Sequence, residues 1–143
     1  MRISTKGQYS LEALLYLALL ADDASASTRT ISEYTGISDG YLEQLFIPLR
    51  KAELVQGIRG PQGGYLLGKA AAEITVGAIL RTVEGALEPV DCVHSAPCVE
   101  RERCISRHTW GDLYEEINKC VDSITLADLV EAYHAIDQLE YMI

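Results

Sequence analysis

The sequence predicts a mainly α-helical chain that carries one small β-hairpin and ends in long helices. Three observations predict it. Apolar residues recur at helical spacing through residues 5–52, broken only by short polar turns. The stretch "LVQGIRGPQGGYLLG" sets two β-compatible runs around a Gly/Pro-rich tip, a hairpin signal. Residues 110–124 then hold a single long apolar stripe. With 143 residues, 48% of them apolar, the chain has the size and the material for one domain with an appended arm.

The elements follow in order. Thr5-Lys-Gly-Gln8 reads as a capping box opening a helix to about Ala21. Arg2, Lys6, the run "ALLYLALLA" and "ASA" at residues 24–26 imitate a secretory leader. Glu12 at the head of that run, the polar "GQYS" and the helical spacing instead predict a helix docked on a core, in a cytoplasmic protein with reduced thiols. Thr30-Ile-Ser-Glu33 reads as a second capping box, and Gly36 ends that short helix. Ser38 caps a third helix to about Ala52, so "TGIS" is the Gly-containing turn of a helix-turn-helix.

On the third helix Leu42, Leu45, Phe46 and Leu49 define the buried face. Gln44 and Gly40 point away from it, with Tyr41 and Glu43 on either side. Gln can pair with adenine and a carboxylate can accept from cytosine N4 in the major groove, and Gly40 permits close approach. An ordinary solvated helix face has the same composition, so the helix alone does not decide. Pro48 removes the hydrogen bond to the Gln44 carbonyl and predicts a kink.

The hairpin, placed directly after the helix-turn-helix, makes a wing. Arg59 is expected at its base beside Gly60, Pro61, Gly63 and Gly64, with little bulk to keep it from a narrow, strongly negative minor groove. Lys6 is a candidate phosphate contact, by its charge and the dipole of the first helix. With Ser38 and Gly60, the expected DNA-contacting set is Lys6, Ser38, Gly40, Tyr41, Glu43, Gln44, Arg59, Gly60 and Pro61. No phosphate loop, nucleophile–base pair or carboxylate pair points to an enzyme.

The net charge of −9 is unevenly spread. Residues 1–67 hold six Lys/Arg and seven Asp/Glu, whereas residues 68–143 hold six and fourteen. The two halves are expected to do different jobs, with the acidic half facing away from a duplex. Thr75 caps a helix from Val76 to Glu84 that Gly85 stops. A long helix is expected from about Cys104, with Trp110, Leu113, Tyr114, Ile117, Val121 and Ile124 along one side. The same helix of a second chain would cover that stripe, and a two-fold dimer would present two reading helices to a pseudo-palindromic double-stranded operator. Thr125 to Asp128 resembles a further cap, with a last helix over 126–139. The predicted organisation is a winged helix-turn-helix domain over 1–85, a cysteine-rich loop over 86–104, and a dimerisation helix with a C-terminal helix over 105–143.

Cys92, Cys98 and Cys104 stand with five residues in each gap. Zinc sites favour thiols two to four residues apart, so this spacing argues against a zinc ribbon. Soft thiolates on a loop suit an iron–sulfur centre, and a thiol switch remains open. His108, four residues after Cys104 and expected on the same helical face, is the candidate fourth ligand; His94 is the second candidate. Cys120 reads as a small buried hydrophobe at the stripe's edge and His134 as a surface residue.

With these elements in place, "STKGQYSLEALLYLA", "GISDGYLEQLF", "LRKAELV", "IRGPQGGYLLGK", the three-cysteine loop and "SITLADLV" resemble the IscR-type iron–sulfur cluster regulators over nearly the whole chain. That is a family of bacterial winged helix-turn-helix transcription factors. The resemblance implies a dimeric regulator, mainly a repressor, with a 2Fe–2S cluster on Cys92, Cys98, Cys104 and one histidine. It implies control of cluster-assembly genes, and DNA recognition through Tyr41, Glu43, Gln44, Arg59 and Pro61. In some members the cluster-free dimer binds a second class of DNA, with the counterpart of Glu43 discriminating between the two. The chain departs from the family at one point: the histidine expected three residues after the last cysteine is Arg107 here, and His108 follows. Nitric-oxide-sensing relatives use an acidic residue near the N-terminus as a ligand, where this chain has Gln8. Cysteine-metabolism repressors share the DNA-binding half and the helix proline but lack the thiol trio.

Overall fold

The computed structural model describes residues 2–91 and 105–142. Within them the order is α1 (Thr5–Leu19), α2 (Thr28–Thr35), α3 (Asp39–Lys51), β1 (Val55–Ile58), β2 (Gly64–Leu67), a short 3-10 turn (Ala71–Glu73), α4 (Val76–Glu84), α5 (Arg107–Asp122) and α6 (Leu126–Met142). This is the mainly helical, winged architecture the periodicities predict.

One core joins the first half. Ala13, Leu14 and Leu17 of α1, Ile31 of α2, and Leu42, Phe46 and Leu49 of α3 are buried together with Leu54, Val55, Ile74, Ile79 and Leu126. The four apolar residues read as the inner face of α3 are all buried. Each removes a full side chain from water, about 1.5–3 kcal/mol apiece. That burial, rather than propensity, holds so short a helix.

The caps are partly where the sequence places them. Ser38 accepts from Tyr41 N–H at 3.3 Å, and Gly36 closes α2 in the left-handed region at φ 81°. Thr75 caps α4 through Ala78 N–H at 3.0 Å, and Thr125 and Asp128 cap α6 reciprocally at 2.9 and 3.1 Å. Two caps differ from expectation. The second helix starts three residues earlier, capped by Ser27, which accepts from Thr30 N–H at 3.1 Å. Thr30 therefore lies inside the helix it was expected to open. Thr5 likewise lies inside α1, whose N-cap Ser4 makes no side-chain cap bond of its own. Pro48 sits within α3, which continues past it to Lys51.

The two strands pair antiparallel, from Val55 with Leu67 to Ile58 with Gly64. Ala26 adds a one-residue rung on the far side of β2, exchanging hydrogen bonds of 2.9 and 2.7 Å with Tyr65. Gly64 makes that approach possible, since a Cβ there would lie 2.4 Å from the Ala26 oxygen. β2 is thus paired on both of its edges at Tyr65, close to the tip of the hairpin.

The second half packs differently. Val76, Leu80 and Leu87 form a smaller cluster, on which Ile117, Val121 and Ile124 rest. The stripe expected to face a second chain is therefore divided: its C-terminal part docks on α4 of the same chain. Ile124 lies beyond the end of α5. Leu113 stays 42% exposed, and no described residue of α5 is buried. Cys120 is exposed, not buried as expected, because it lies off the side that meets α4. The helix starts at Arg107 after a turn at residues 105–106, later than the start expected at about Cys104, which lies outside the described residues.

Candidate nucleic-acid interface

The outward side of α3 is open. Gly40, Glu43 and Gln44 are exposed one turn apart, and Ile47 continues the row. Ser38 is exposed at the head of the helix with its hydroxyl committed to the cap. Tyr41 is half-buried, its ring edge-on to Tyr9 at 5.7 Å, so its hydroxyl end rather than its ring is what it can offer a ligand. Gly40 has no internal reason to be glycine: a Cβ there would meet nothing within 4 Å.

Arg59, Gly60 and Pro61 are exposed on the wing tip between β1 and β2. Gly63 N–H closes the tip by donating to the Gly60 carbonyl at 2.9 Å. The arginine is thereby held on a short, stiff projection next to the open side of a helix-turn-helix.

Lys6 is exposed in the first turn of α1, but the end of that helix is already filled. Glu84, the last residue of α4, accepts from Ser4 N–H at 3.0 Å, from Gly7 N–H at 2.9 Å, and from the Ser4 hydroxyl. Gly7 admits it, because a Cβ there would lie 2.8 Å from the Glu84 oxygen. The Ser4 hydroxyl foremost, then the two N–H groups and the Lys6 charge, hold the Glu84 carboxyl below the usual carboxylate range against an upward push from partial burial. An anion thus already occupies the positive helix end. The helix-dipole part of the argument for Lys6 fails, and its own charge is what it can offer a phosphate.

The calls on Cys92, Cys98, Cys104 and His94 lie outside the described residues. His108 is exposed in the first turn of α5. On the N-terminal side of the cysteines, Leu87 is tied to α5, and α5 is tied to α4. Arg81 donates to Asn118 Oδ1 at 3.1 and 2.9 Å and to Asp122 at 2.7 Å. Asn118 in turn donates to the Tyr114 carbonyl at 2.8 Å and the Leu87 carbonyl at 3.4 Å. Among the described residues no group of three or more His, Cys, Asp or Glu gathers to hold a metal. No helix of the described residues is long and apolar enough to cross a membrane.

Sequence reasoning missed three residues here. Glu84 gives no local signal, since its partners lie 77 and 80 residues away. Tyr9 buttresses Tyr41 from another helix. Ile47 was legible as an apolar residue on the polar side of α3, but the buried-face pattern drew attention elsewhere.

A helix-turn-helix with an open polar side, followed at once by a pinned wing with an arginine at its tip, defines a winged-helix DNA-binding transcriptional regulator, not an enzyme. Residues 3–132 match the model of the Rrf2 family, described as iron-dependent transcriptional regulators. The chain belongs to that family. It is 45% identical over 130 residues to the HTH-type transcriptional regulator IscR of Yersinia enterocolitica and to that of Serratia proteamaculans, covering 91% of this chain and 79% of each relative. Among solved structures it is similar to CymR, the global cysteine regulator of B. subtilis, with a TM-score of 0.76 and 37% identity, covering 92% of this chain and 98% of that one. T. potens IscR superposes with a TM-score of 0.75 at 36% identity, covering 93% and 88%. The resemblance to IscR-type regulators is borne out.

Proposed function

We propose that the chain is a homodimeric, cytoplasmic regulator that senses iron–sulfur status through a 2Fe–2S cluster and mainly represses cluster-assembly genes. One observation carries the reading: three evenly spaced thiols stand in the sequence between α4 and α5, in a chain 45% identical to IscR regulators. Cys92, Cys98 and Cys104 supply soft ligands of the kind iron–sulfur centres take. His108, exposed at the start of α5, is the fourth in this reading. When bound, the cluster would give the loop a centre whose presence follows the supply of iron and sulfide. The chain's own part is mechanical. Asn118 of α5 holds Leu87 ahead of the cysteines, Arg81 joins α5 to α4, and Glu84, three residues further along α4, holds the start of α1 beside Lys6.

In this reading Glu43, Gln44 and Tyr41 of α3, with Ser38 and Gly40 at its head, meet base edges in the major groove. Arg59, with Gly60 and Pro61, enters the minor groove, and Lys6 meets a phosphate. The open part of the α5 stripe around Leu113 pairs with the same helix of a second chain, so that two reading heads address a pseudo-palindrome.

The test is anaerobic purification, an absorption spectrum, and iron and sulfide analysis, repeated on His108→Ala. The expected result is brown protein with about two irons and two sulfides per chain, and a spectrum altered in the variant. An unchanged variant spectrum would remove His108 from the ligand set. Protein that stays colourless after reconstitution would refute the cluster. It would favour a second reading, a thiol-redox regulator, which draws support from similarity to the oxidized form of Staphylococcus aureus CymR at a TM-score of 0.71 and 37% identity.

A further inference from the structure

We infer that Ile47 is a specificity-determining residue, packing against the 5-methyl group of a thymine in each operator half-site. The inference rests on the reading that α3 enters the major groove.

Ile47 is 55% exposed, whereas Leu42, Leu45, Phe46 and Leu49 on the same helix are buried. It thus stands outside the core, in line with Gly40, Glu43 and Gln44 on the open side of α3. The four positions follow the i, i+3, i+4, i+7 rule. Recognition helices that lie in a major groove use that same spacing to present base-reading side chains. Three of the positions carry what a groove-facing row needs: two polar groups that can pair with base edges, and a glycine with open space above it. The fourth is a branched hydrocarbon, which cannot hydrogen-bond. In the major groove the one apolar group on a base edge is the thymine methyl, which makes thymine the base such a side chain selects.

Position narrows the target further. Ile47 lies three residues beyond Gln44, a rise of about 4.5 Å along the helix axis. A base-pair step is about 3.4 Å, so the thymine should lie one or two steps from the base that Gln44 reads. Gly40, at the other end of the row, lets the helix start settle deeply, which brings Ile47 down onto the groove. Pro48 follows directly, and its ring fixes φ at the next backbone position after the side chain.

The experiment has two steps. Operators are first selected from a pool of random duplexes by the full-length protein and by Ile47→Ala, a substitution at an exposed site that leaves the core intact. Each thymine of the wild-type consensus is then replaced singly by deoxyuridine, which removes the methyl group and nothing else, and binding is titrated for both proteins. One thymine per half-site is expected to be sensitive, its replacement weakening wild-type binding about fourfold, the effect of one buried methyl. Ile47→Ala should bind the thymine and uracil operators equally and lose preference at that position of its own consensus. Indifference of the wild type at every thymine would overturn the inference while leaving DNA recognition intact. Equal sensitivity in Ile47→Ala would assign the methyl to another side chain, and a changed oligomeric state with unchanged DNA binding would assign Ile47 to a protein contact; either sinks it. Failure to enrich any sequence would instead remove the major-groove reading of α3, and the inference with it.

Discussion

Helices α3 and α5 both carry an apolar stripe, and the chain completes one and leaves the other half open. In α3 the four stripe residues are all buried, three of them in one cluster with residues of α1, α2, α4 and the wing's first strand. In α5 only Ile117 and Val121 rest on an internal cluster, and Leu113 remains 42% exposed. The two stripes look alike as patterns, yet one is wholly a tertiary contact and the other leaves Leu113 uncovered within the chain, on the face that the proposed dimer would cover. An apolar period reports that a face is covered, not by which chain.

The largest expected effect lies on the closed side. Phe46→Ala removes a fully buried ring and should lower stability by about 3–5 kcal/mol, measured by urea denaturation. A loss below about 1 kcal/mol would mean that α3 is not packed as described. On the open side, Leu113→Asp should raise the dimer dissociation constant more than tenfold in sedimentation while shifting chemical stability of the separated chain by less than about 0.5 kcal/mol. A large loss of fold stability would break the contrast between the two helices.

Glu84→Gln comes next, since it weakens the joint between the halves. Loss of the charge that caps α1 should cost about 1–2 kcal/mol at neutral pH. Its pH dependence has a definite sign. The folded carboxyl lies below its usual value, so its stabilisation is complete above about pH 4.3 and is lost as pH falls through the lowered folded value. The advantage of wild type over the variant should therefore shrink on acidification below that point. An advantage that grows there would contradict the cap. The smallest effect belongs to Arg29→Ala. Its partner Glu33 lies at 3.4 Å, but both side chains are largely exposed, and a loss of about 0.3–0.5 kcal/mol is expected in the same denaturation series.

What was legible in the sequence was whatever is local. Ser38, Gly36, Thr75 and the Thr125–Asp128 pair act within a few residues of themselves, and their pattern placed α3, α4 and α6 correctly. The strands were legible because the glycines and Pro61 punctuate them. What was not legible depends on distant partners. Thr5 looked like a cap because nothing nearby reveals that Glu84 fills that role from another helix. Thr30 and Ser27 both satisfy the local rule, and which one caps α2 depends on where Ala26 pairs with the wing. Cys120 was misjudged for the same reason, because the side of α5 that meets α4 is set by Arg81 and Asn118 rather than by the period of the stripe. The outward residues of α3 could be named from the period alone, since they are the complement of a buried face.

The rung between Ala26 and Tyr65 has a consequence for how this molecule would meet a duplex. A wing joined only at β1 would swing, and could fit grooves of many widths at the expense of ordering itself each time. Here the hairpin is braced on its second edge by the segment that leads into α2, and its tip is closed by Gly63 on Gly60. Arg59 and the open side of α3 therefore keep a set separation, like the jaws of a gauge. In the proposed reading, a duplex whose groove spacing matches that separation would be gripped at both points, while one that must first be deformed would hold less tightly even with the right base sequence.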